Sequence, residues 1–375
     1  MDVSVVGAGP AGCAAGARAA GLGAKVTIYE EHKVVGRPVQ CSGIVSKRAL
    51  DAMGLGYRKI SYNALSGTVI HLPDGNELRI RAKQVMAHVF DRAKYDELAA
   101  EKAEEEGAKI IMGKKPDIRK LKGAIIGADG VTSDVAREFG FPPIRKYVFC
   151  YQEDLEGANI ADREMVDVFV CNSILPGFFA WAIPLGEDRV RLGCGVGEHE
   201  NAKLALEKLI KKEKLLQNML DGARKFDALG GVIPMHIREK TAMGRAILVG
   251  DAAGQAKPTT GGGIYFGSMC GMVAGEVAAN AKKENELQKY ENKWRSLYER
   301  DLALNRRIRE IANGLSDGEI SAYGGMAKKL GAEAFLSKFG DMDSPTHMLK
   351  HVPKASPLAG IYARLAPALN FLSHA

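Results

Sequence analysis

The sequence predicts an α/β chain, α+β overall, in three parts: a Rossmann-like dinucleotide-binding domain, an antiparallel-sheet domain inserted into it, and a helical C-terminal region. Three observations predict this. The chain opens on "DVSVVGAGPAGCAAGARAAGLGAKVTIYEE", a strand, a glycine turn, a small-residue helix and a second strand. Two later segments, "GAIIGADGVTSDVAREFG" and "GRAILVGDAAGQAKPTTGGGIYFGSMCGMVAGEVA", each run an apolar strand into Gly and Asp before a helix. Between them lie short alternating runs of the kind that pair antiparallel.

In the opening unit, Val3 to Val6 read as a buried strand and Lys25 to Tyr29 as the next one. Gly7, Gly9 and Gly12 hold G-x-G-x-x-G spacing. Gly7 allows the tight turn, Gly9 lets the backbone approach a pyrophosphate, and Gly12 permits close helix packing, with the helix N-terminus facing the phosphates. Glu30 follows by about the 20 residues expected of a ribose acceptor. This motif alone does not separate FAD from NAD.

Next comes "GRPVQCSG", where Pro38 stiffens a loop and Gly43 allows close approach. Cys41 between them is either a small core residue or a thiol presented to a ligand. "SGTVIHLPDGNELRIRA" reads as a hairpin around Asp74-Gly75. "VFDRAKYDELAAEKAEEEGAKIIMG" reads as a helix, then a strand. In the two later motifs, Asp129 and Asp251 can accept from ribitol hydroxyls or merely cap helices. Gly250 precedes Asp251 at the strand end, and Gly261, Gly262 and Gly263 would let backbone lie close to a flat ring.

"KYVFCYQEDL", "EMVDVFVCN", "FFAWAIP" and "DRVRLGCGVG" are further strands, and "ENAKLALEKLIKKEKLL" is an amphipathic helix. Phe178, Phe179, Trp181 and Ile183 are either the wall of an apolar cavity or ordinary sheet core. Residues 1–56, 86–145 and 240–290 are expected to build the nucleotide domain, 57–85 and 146–239 the sheet domain, and 291–375 the helical region. Along the tail from about residue 285 to 375, Leu287, Tyr290, Trp294, Leu297, Leu304, Ile308 and Ile311 fall on one helical face, read as docking onto the domain more than as a membrane face. The apolar stretch from Ser356 to Ala375 either packs or dips into a bilayer surface.

The 375 residues lead us to expect two or three domains, and the 46% apolar content argues against wholesale disorder. No run reaches the roughly 18 apolar residues of a spanning helix. The N-terminus enters a strand without a basic region or cleavage site, so a cytoplasmic protein is expected. Six scattered cysteines form no C-x-x-C pair, which points to reduced thiols and to neither zinc nor a dithiol couple. The formal charge of +7 suits an anionic membrane surface or an acidic protein carrier. No arginine-rich run interleaves with aromatics, so nucleic acid is not indicated.

The three glycine motifs together resemble the p-hydroxybenzoate-hydroxylase-like FAD superfamily over about residues 1–290. Within it the chain is similar to the archaeal geranylgeranyl reductase family, on "PVQCSG", "FFAWAIPLGEDRVRLGCGV" and "GDAAGQAKPTTGGGIYFG". Ser42 intervenes between Cys41 and Gly43, and Phe179 and Ile183 stand where that family often has Tyr and Phe. The resemblance implies FAD, and it adds Arg37 and Arg92 to the cofactor contacts; a surface arginine beside a helix start is the plainer reading of Arg92.

It also implies a reductase that saturates isoprenoid double bonds of archaeal-type ether lipids. Reduced flavin N5 would give the hydride, coupled to protonation of the alkene. Cys41 would then lie at the substrate side of the ring, as a gate, a positioning group or one link in proton delivery. With no second G-x-G-x-x-G, electrons are expected by transient docking of NAD(P)H or reduced ferredoxin. An aromatic hydroxylase or other oxygen-using flavoprotein, and a non-catalytic FAD-containing lipid-binding protein, are the alternatives.

Overall fold

A computed structural model describes residues 2–352. Strand Val3–Val6 is buried along its whole length, as its apolar, mostly β-branched sequence requires. It sits inside a six-stranded sheet ordered Ala242–Met243, Ala246–Leu248, Ala124–Gly127, Val3–Val6, Val26–Tyr29, Lys109–Ile111. Neighbours run parallel except at the two-residue edge strand. The strands come from all three chain segments that carry the glycine motifs or flank them. Helix Pro10–Gly21 begins on a proline, whose missing N–H falls where the helix needs none. Its small residues serve a helix partner as well as the sheet. A Cβ at Gly271 or Gly275 of helix Ile264–Asn280 would collide with the carbonyl oxygens of Ala11 and Ala15.

A seven-stranded sheet runs Arg224–Pro234, Tyr147–Glu156, Arg189–Gly197, Ala180–Pro184, Met165–Phe169, Gly67–His71, Glu77–Arg81. It is mixed, where the sequence led us to expect an antiparallel sheet: Met165–Phe169 and Gly67–His71 pair parallel. They are far apart in the chain, so no tight turn forces them antiparallel. The hairpin around Asp74-Gly75 forms as expected. Strand Arg224–Pro234 escaped the sequence reading because "RKFDALGGVIP" is charged, largely exposed and broken by two glycines. A third sheet, Ile44–Ser46, Ala87–Phe90, Ser61–Leu65, was also unforeseen, and it runs across the expected boundary at residues 56 and 57.

The described part of the C-terminal region, to residue 352, is mainly helical. Leu287, Tyr290 and Trp294 are buried in the core that joins the six-stranded sheet to its helices. Leu297 departs from the expected face and is 53% exposed, because a π-helical turn, Arg295–Glu299, shifts the phase. Ser316 and Glu319 form a capping box that starts helix Asp317–Lys329. Helix Ala332–Phe339 covers the edge of the seven-stranded sheet: Arg79 N–H donates to Glu333 Oε1 at 2.6 Å and Arg81 N–H to Ser337 Oγ at 3.0 Å. The stretch Ser356 to Ala375 lies outside the described residues. Among the described residues no helix is long and apolar enough to cross a membrane.

Candidate active site

A single cavity of about 1760 Å³ is lined from both large sheets and from the C-terminal region. Gly7, Gly9, Glu30, Arg37, Cys41, Arg92, Asp129, Gly250, Asp251, Gly261, Gly262 and Gly263 all reach its wall, as do Phe178, Phe179, Trp181 and Ile183. Gly12 does not. A Cβ there would strike the Gly7 carbonyl, so its role is to let the helix start close against the strand.

The nucleotide end is built by strand termini. Gly7 adopts φ +101°, which only glycine takes without strain. A Cβ on Gly9 would meet nothing within 4 Å, so the first turn of the helix presents bare backbone to open cavity. At the end of Val26–Tyr29, Glu30 Oε2 accepts from Ala8 N–H and Oε1 from His32 N–H, both at 2.9 Å. The carboxylate is thereby fixed beside the glycine turn. Asp129 accepts from Ser133 Oγ at 2.6 Å and from Val135 N–H at 3.0 Å, so it braces the Ser133 cap of helix Asp134–Glu138 while lining the cavity. Asp251 lies in the turn after Ala246–Leu248, and burial pushes its carboxyl up to about 6. Gly263, just before the long helix, lies beside it: a Cβ there would be 3.0 Å from Asp251 Oδ1.

Arg92 starts helix Arg92–Glu105, and its Nη2 donates to Asp96 Oδ1 and Oδ2 at 2.7 and 2.8 Å. Burial acts to lower its pKa, but the carboxylate of Asp96 outweighs that, and the guanidinium stays charged. Its Nε is buried without a hydrogen-bond partner among the described residues. The surface-arginine reading therefore fails, since only 12% of the side chain is exposed.

The Cys41 loop is held from the seven-stranded sheet. Gln152 Nε2 donates to the Cys41 carbonyl at 3.3 Å, and Arg191 Nη1 to the Ser42 carbonyl at 2.7 Å. Arg191 is itself paired with Asp154, Nε to Oδ1 at 2.7 Å and Nη2 to Oδ2 at 2.6 Å. The sequence reading missed all three. Their signal was there: Val148, Cys150, Gln152 and Asp154 alternate along Tyr147–Glu156, so two polar residues fall at core-facing positions. Cys150 also lines the cavity, and burial pushes its thiol up to about 12. The remaining four cysteines are buried.

Beside Cys150 and Gln152 on the same sheet, at and just before strand Ala180–Pro184, Phe178 and Phe179 stack with ring centroids 4.2 Å apart, and Trp181 meets Phe179 edge-on at 6.0 Å. Trp181 and Ile183 share a face of Ala180–Pro184. These residues are both cavity wall and part of a buried cluster, so neither sequence alternative excludes the other. A buried polar cluster closes one side. Lys257 Nζ donates to Asp343 Oδ1 and the Met342 carbonyl, both at 2.7 Å, and Ser46 Oγ donates to Asp343 Oδ2.

Comparison with known proteins bears on what this cavity holds. Residues 2–137 match the family model described as glucose inhibited division protein A. A digeranylgeranylglycerophospholipid reductase of Methanocaldococcus jannaschii is 30% identical, aligned over 88% of this chain and 90% of its own. A protein of the same name from Methanothrix thermoacetophila is 31% identical, over 85% and 89%. The chain belongs to the digeranylgeranylglycerophospholipid reductase family. In fold it is similar to a geranylgeranyl bacteriochlorophyll reductase-like protein of Thermoplasma acidophilum, TM-score 0.82 at 23% identity, covering 97% of this chain and 98% of that one. A halogenase solved in complex with FAD shares the fold at TM-score 0.66 and 14% identity, covering 98% and 95%.

The cofactor of this family member is FAD, and the residues present fit it. Two helix N-termini and bare glycine backbone offer donors to phosphates, Glu30 and Asp251 offer acceptors to hydroxyls, and Arg92 Nε is a buried donor still to be satisfied.

Proposed function

We propose that this cavity reduces isoprenoid chains: the protein saturates geranylgeranyl double bonds of ether-linked membrane lipids, a reading supported by relatives named digeranylgeranylglycerophospholipid reductase. The observation that carries the reading is that one cavity holds the glycine cradle, the Cys41 loop and an aromatic wall. FAD, when bound and reduced, supplies a hydride at N5. The chain's own residues supply the rest. Gly7, Gly9 and the helix they start hold the pyrophosphate. Glu30 and Asp251 accept from ribose and ribitol hydroxyls, with Arg37 and Arg92 beside them. Gly250 and the run Gly261 to Gly263 would let backbone lie close to the ring, and Asp129 would hold the start of the helix after the middle motif at the cavity wall.

Phe178, Phe179, Trp181 and Ile183 hold the apolar chain and exclude water. An isolated alkene takes a hydride only as its other carbon receives a proton. Cys41 Sγ, placed by Gln152 and Arg191, gates or relays that proton; a thiol alone is a feeble acid toward an alkene. NAD(P)H or reduced ferredoxin docks transiently to reload the flavin, and the protein works at the surface of the cytoplasmic membrane without spanning it.

The test is anaerobic. Protein reduced with dithionite should be reoxidised on adding a geranylgeranyl glycerolipid, seen as the return of flavin absorbance. Reoxidation by oxygen alone, with hydroxylated phenols or halogenated products appearing, would instead support an oxygen-using flavoprotein. The shared fold with halogenases makes that comparison necessary.

A further inference from the structure

Two cations on the cavity wall are matched by buried carboxylates: Arg92 by Asp96 and Lys257 by Asp343. Arg309 is not. It projects from helix Arg300–Asn313 to the same wall, and among the described residues no carboxylate pairs with it. Its Nε donates to the Pro258 carbonyl at 3.0 Å and its Nη2 to the Thr259 carbonyl at 2.7 Å. The guanidinium carbon lies 4.7 Å from the ring centre of Phe178 and 5.4 Å from that of Phe179.

Two backbone carbonyls and two ring faces orient the group but do not neutralise it, and Nη1 has no protein hydrogen bond among the described residues. A desolvated cation without a counter-ion is unfavourable, and here burial lowers its pKa to about 10. The missing charge can be supplied from the cavity.

We infer that Arg309 anchors a phosphate-type oxyanion at the polar end of the substrate, whose hydrocarbon chain then runs along Phe178, Phe179 and Trp181. The inference rests on the reading of the cavity as an isoprenoid-lipid site, and it makes the C-terminal region part of substrate selection. Arginine suits the task because its charge is permanent and its planar donors match an oxyanion. Headgroup phosphate and free phosphate share this chemistry, so the experiment separates them.

The FAD-loaded full chain is titrated in detergent, with binding read from perturbation of flavin absorbance, which needs no turnover. The probes are diphytanylglycerophosphate, uncharged diphytanylglycerol and inorganic phosphate. The wild-type protein should bind the phosphate-bearing lipid about tenfold or more tightly than the uncharged one. Arg309→Gln, with full flavin content, should bring that ratio close to one, and Arg309→Lys should keep part of it. Inorganic phosphate that perturbs the flavin while the two lipids bind alike would keep the Arg309 site but make its ligand a free oxyanion. Alike binding of the lipids with no phosphate effect overturns the inference without any variant. So does a ratio unchanged in Arg309→Gln. Charge-dependent binding of these saturated probes, with no reoxidation of reduced flavin by a geranylgeranyl glycerolipid, would sink the reductase reading alone.

Discussion

Cys41 is half-buried on the cavity wall, and its own loop donates Gly43 N–H toward its sulfur at 3.4 Å. Serine is nearly the same size, so Cys41→Ser should leave the loop in place. If the thiol serves the reaction, lipid-driven reoxidation of reduced flavin slows about tenfold or more, about 1.4 kcal/mol in the barrier, while dithionite reduction is unchanged. Stopped-flow timing of the two half-reactions checks this, and wild-type reoxidation would make Cys41 a wall residue only.

Asp251 makes a different prediction. In the cofactor-free protein its carboxyl is raised by burial from 3.8 to about 6, so the folded state binds a proton that the unfolded state releases. Stability therefore falls as pH rises from about 4 to about 6, by on the order of 2–3 kcal/mol, and is flat above. Ribitol donors would favour the anion and flatten the slope. Denaturant unfolding of apo and FAD-loaded protein across this range should diverge, and Asp251→Ala should remove its share of the slope, leaving that of Asp96 and Asp129, which burial also raises, and should lose flavin on dialysis. Identical apo and holo profiles, or full flavin retention in the variant, would remove Asp251 from the site.

Strands Tyr147–Glu156 and Arg189–Gly197 place Asp154 and Arg191 directly opposite each other. This buried pair reaches the Cys41 loop through Ser42, which makes it a positioning device. Arg191→Met alone strands a buried carboxylate and should cost about 3–5 kcal/mol. The double variant Arg191→Met, Asp154→Leu should recover most of that stability, since apolar replacements of a buried pair are often neutral. It should still slow lipid-driven reoxidation, because the Ser42 carbonyl has lost its donor. Thermal melts read alongside reoxidation rates decide it, and normal rates in the stable double variant would reduce the pair to packing.

The glycine motifs were legible because their meaning is local: Gly7 and Gly9 sit within one turn, and Glu30 is set by the length of a single helix. Gln152 and Asp154 stand out as polar residues at core-facing positions, but their partners, and those of Arg191, depend on strand register, which the alternation alone does not give. Leu297 was misread because a π turn breaks the 3.6-residue period on which the reading relied.

At the scale of the molecule, the six-stranded sheet holds the cofactor end, the seven-stranded sheet the aromatic wall, and the C-terminal region closes the cavity through Lys257 and Asp343, 86 residues apart. The α/β architecture could be read from motif order. The closure could not, since nothing near Lys257 announces an acid so far along the chain. The proposed membrane role predicts sedimentation with anionic liposomes and release by high salt, given the +7 charge. Protein left in the supernatant would refute it.

The central claim is that reducing equivalents leave the flavin for a carbon–carbon double bond. A single anaerobic turnover of reduced protein with a geranylgeranyl glycerolipid, followed by mass analysis of the extracted lipid, tests it most directly. One added H₂ in the lipid is expected for each flavin reoxidised. A lipid of unchanged mass after the flavin has reoxidised would contradict it.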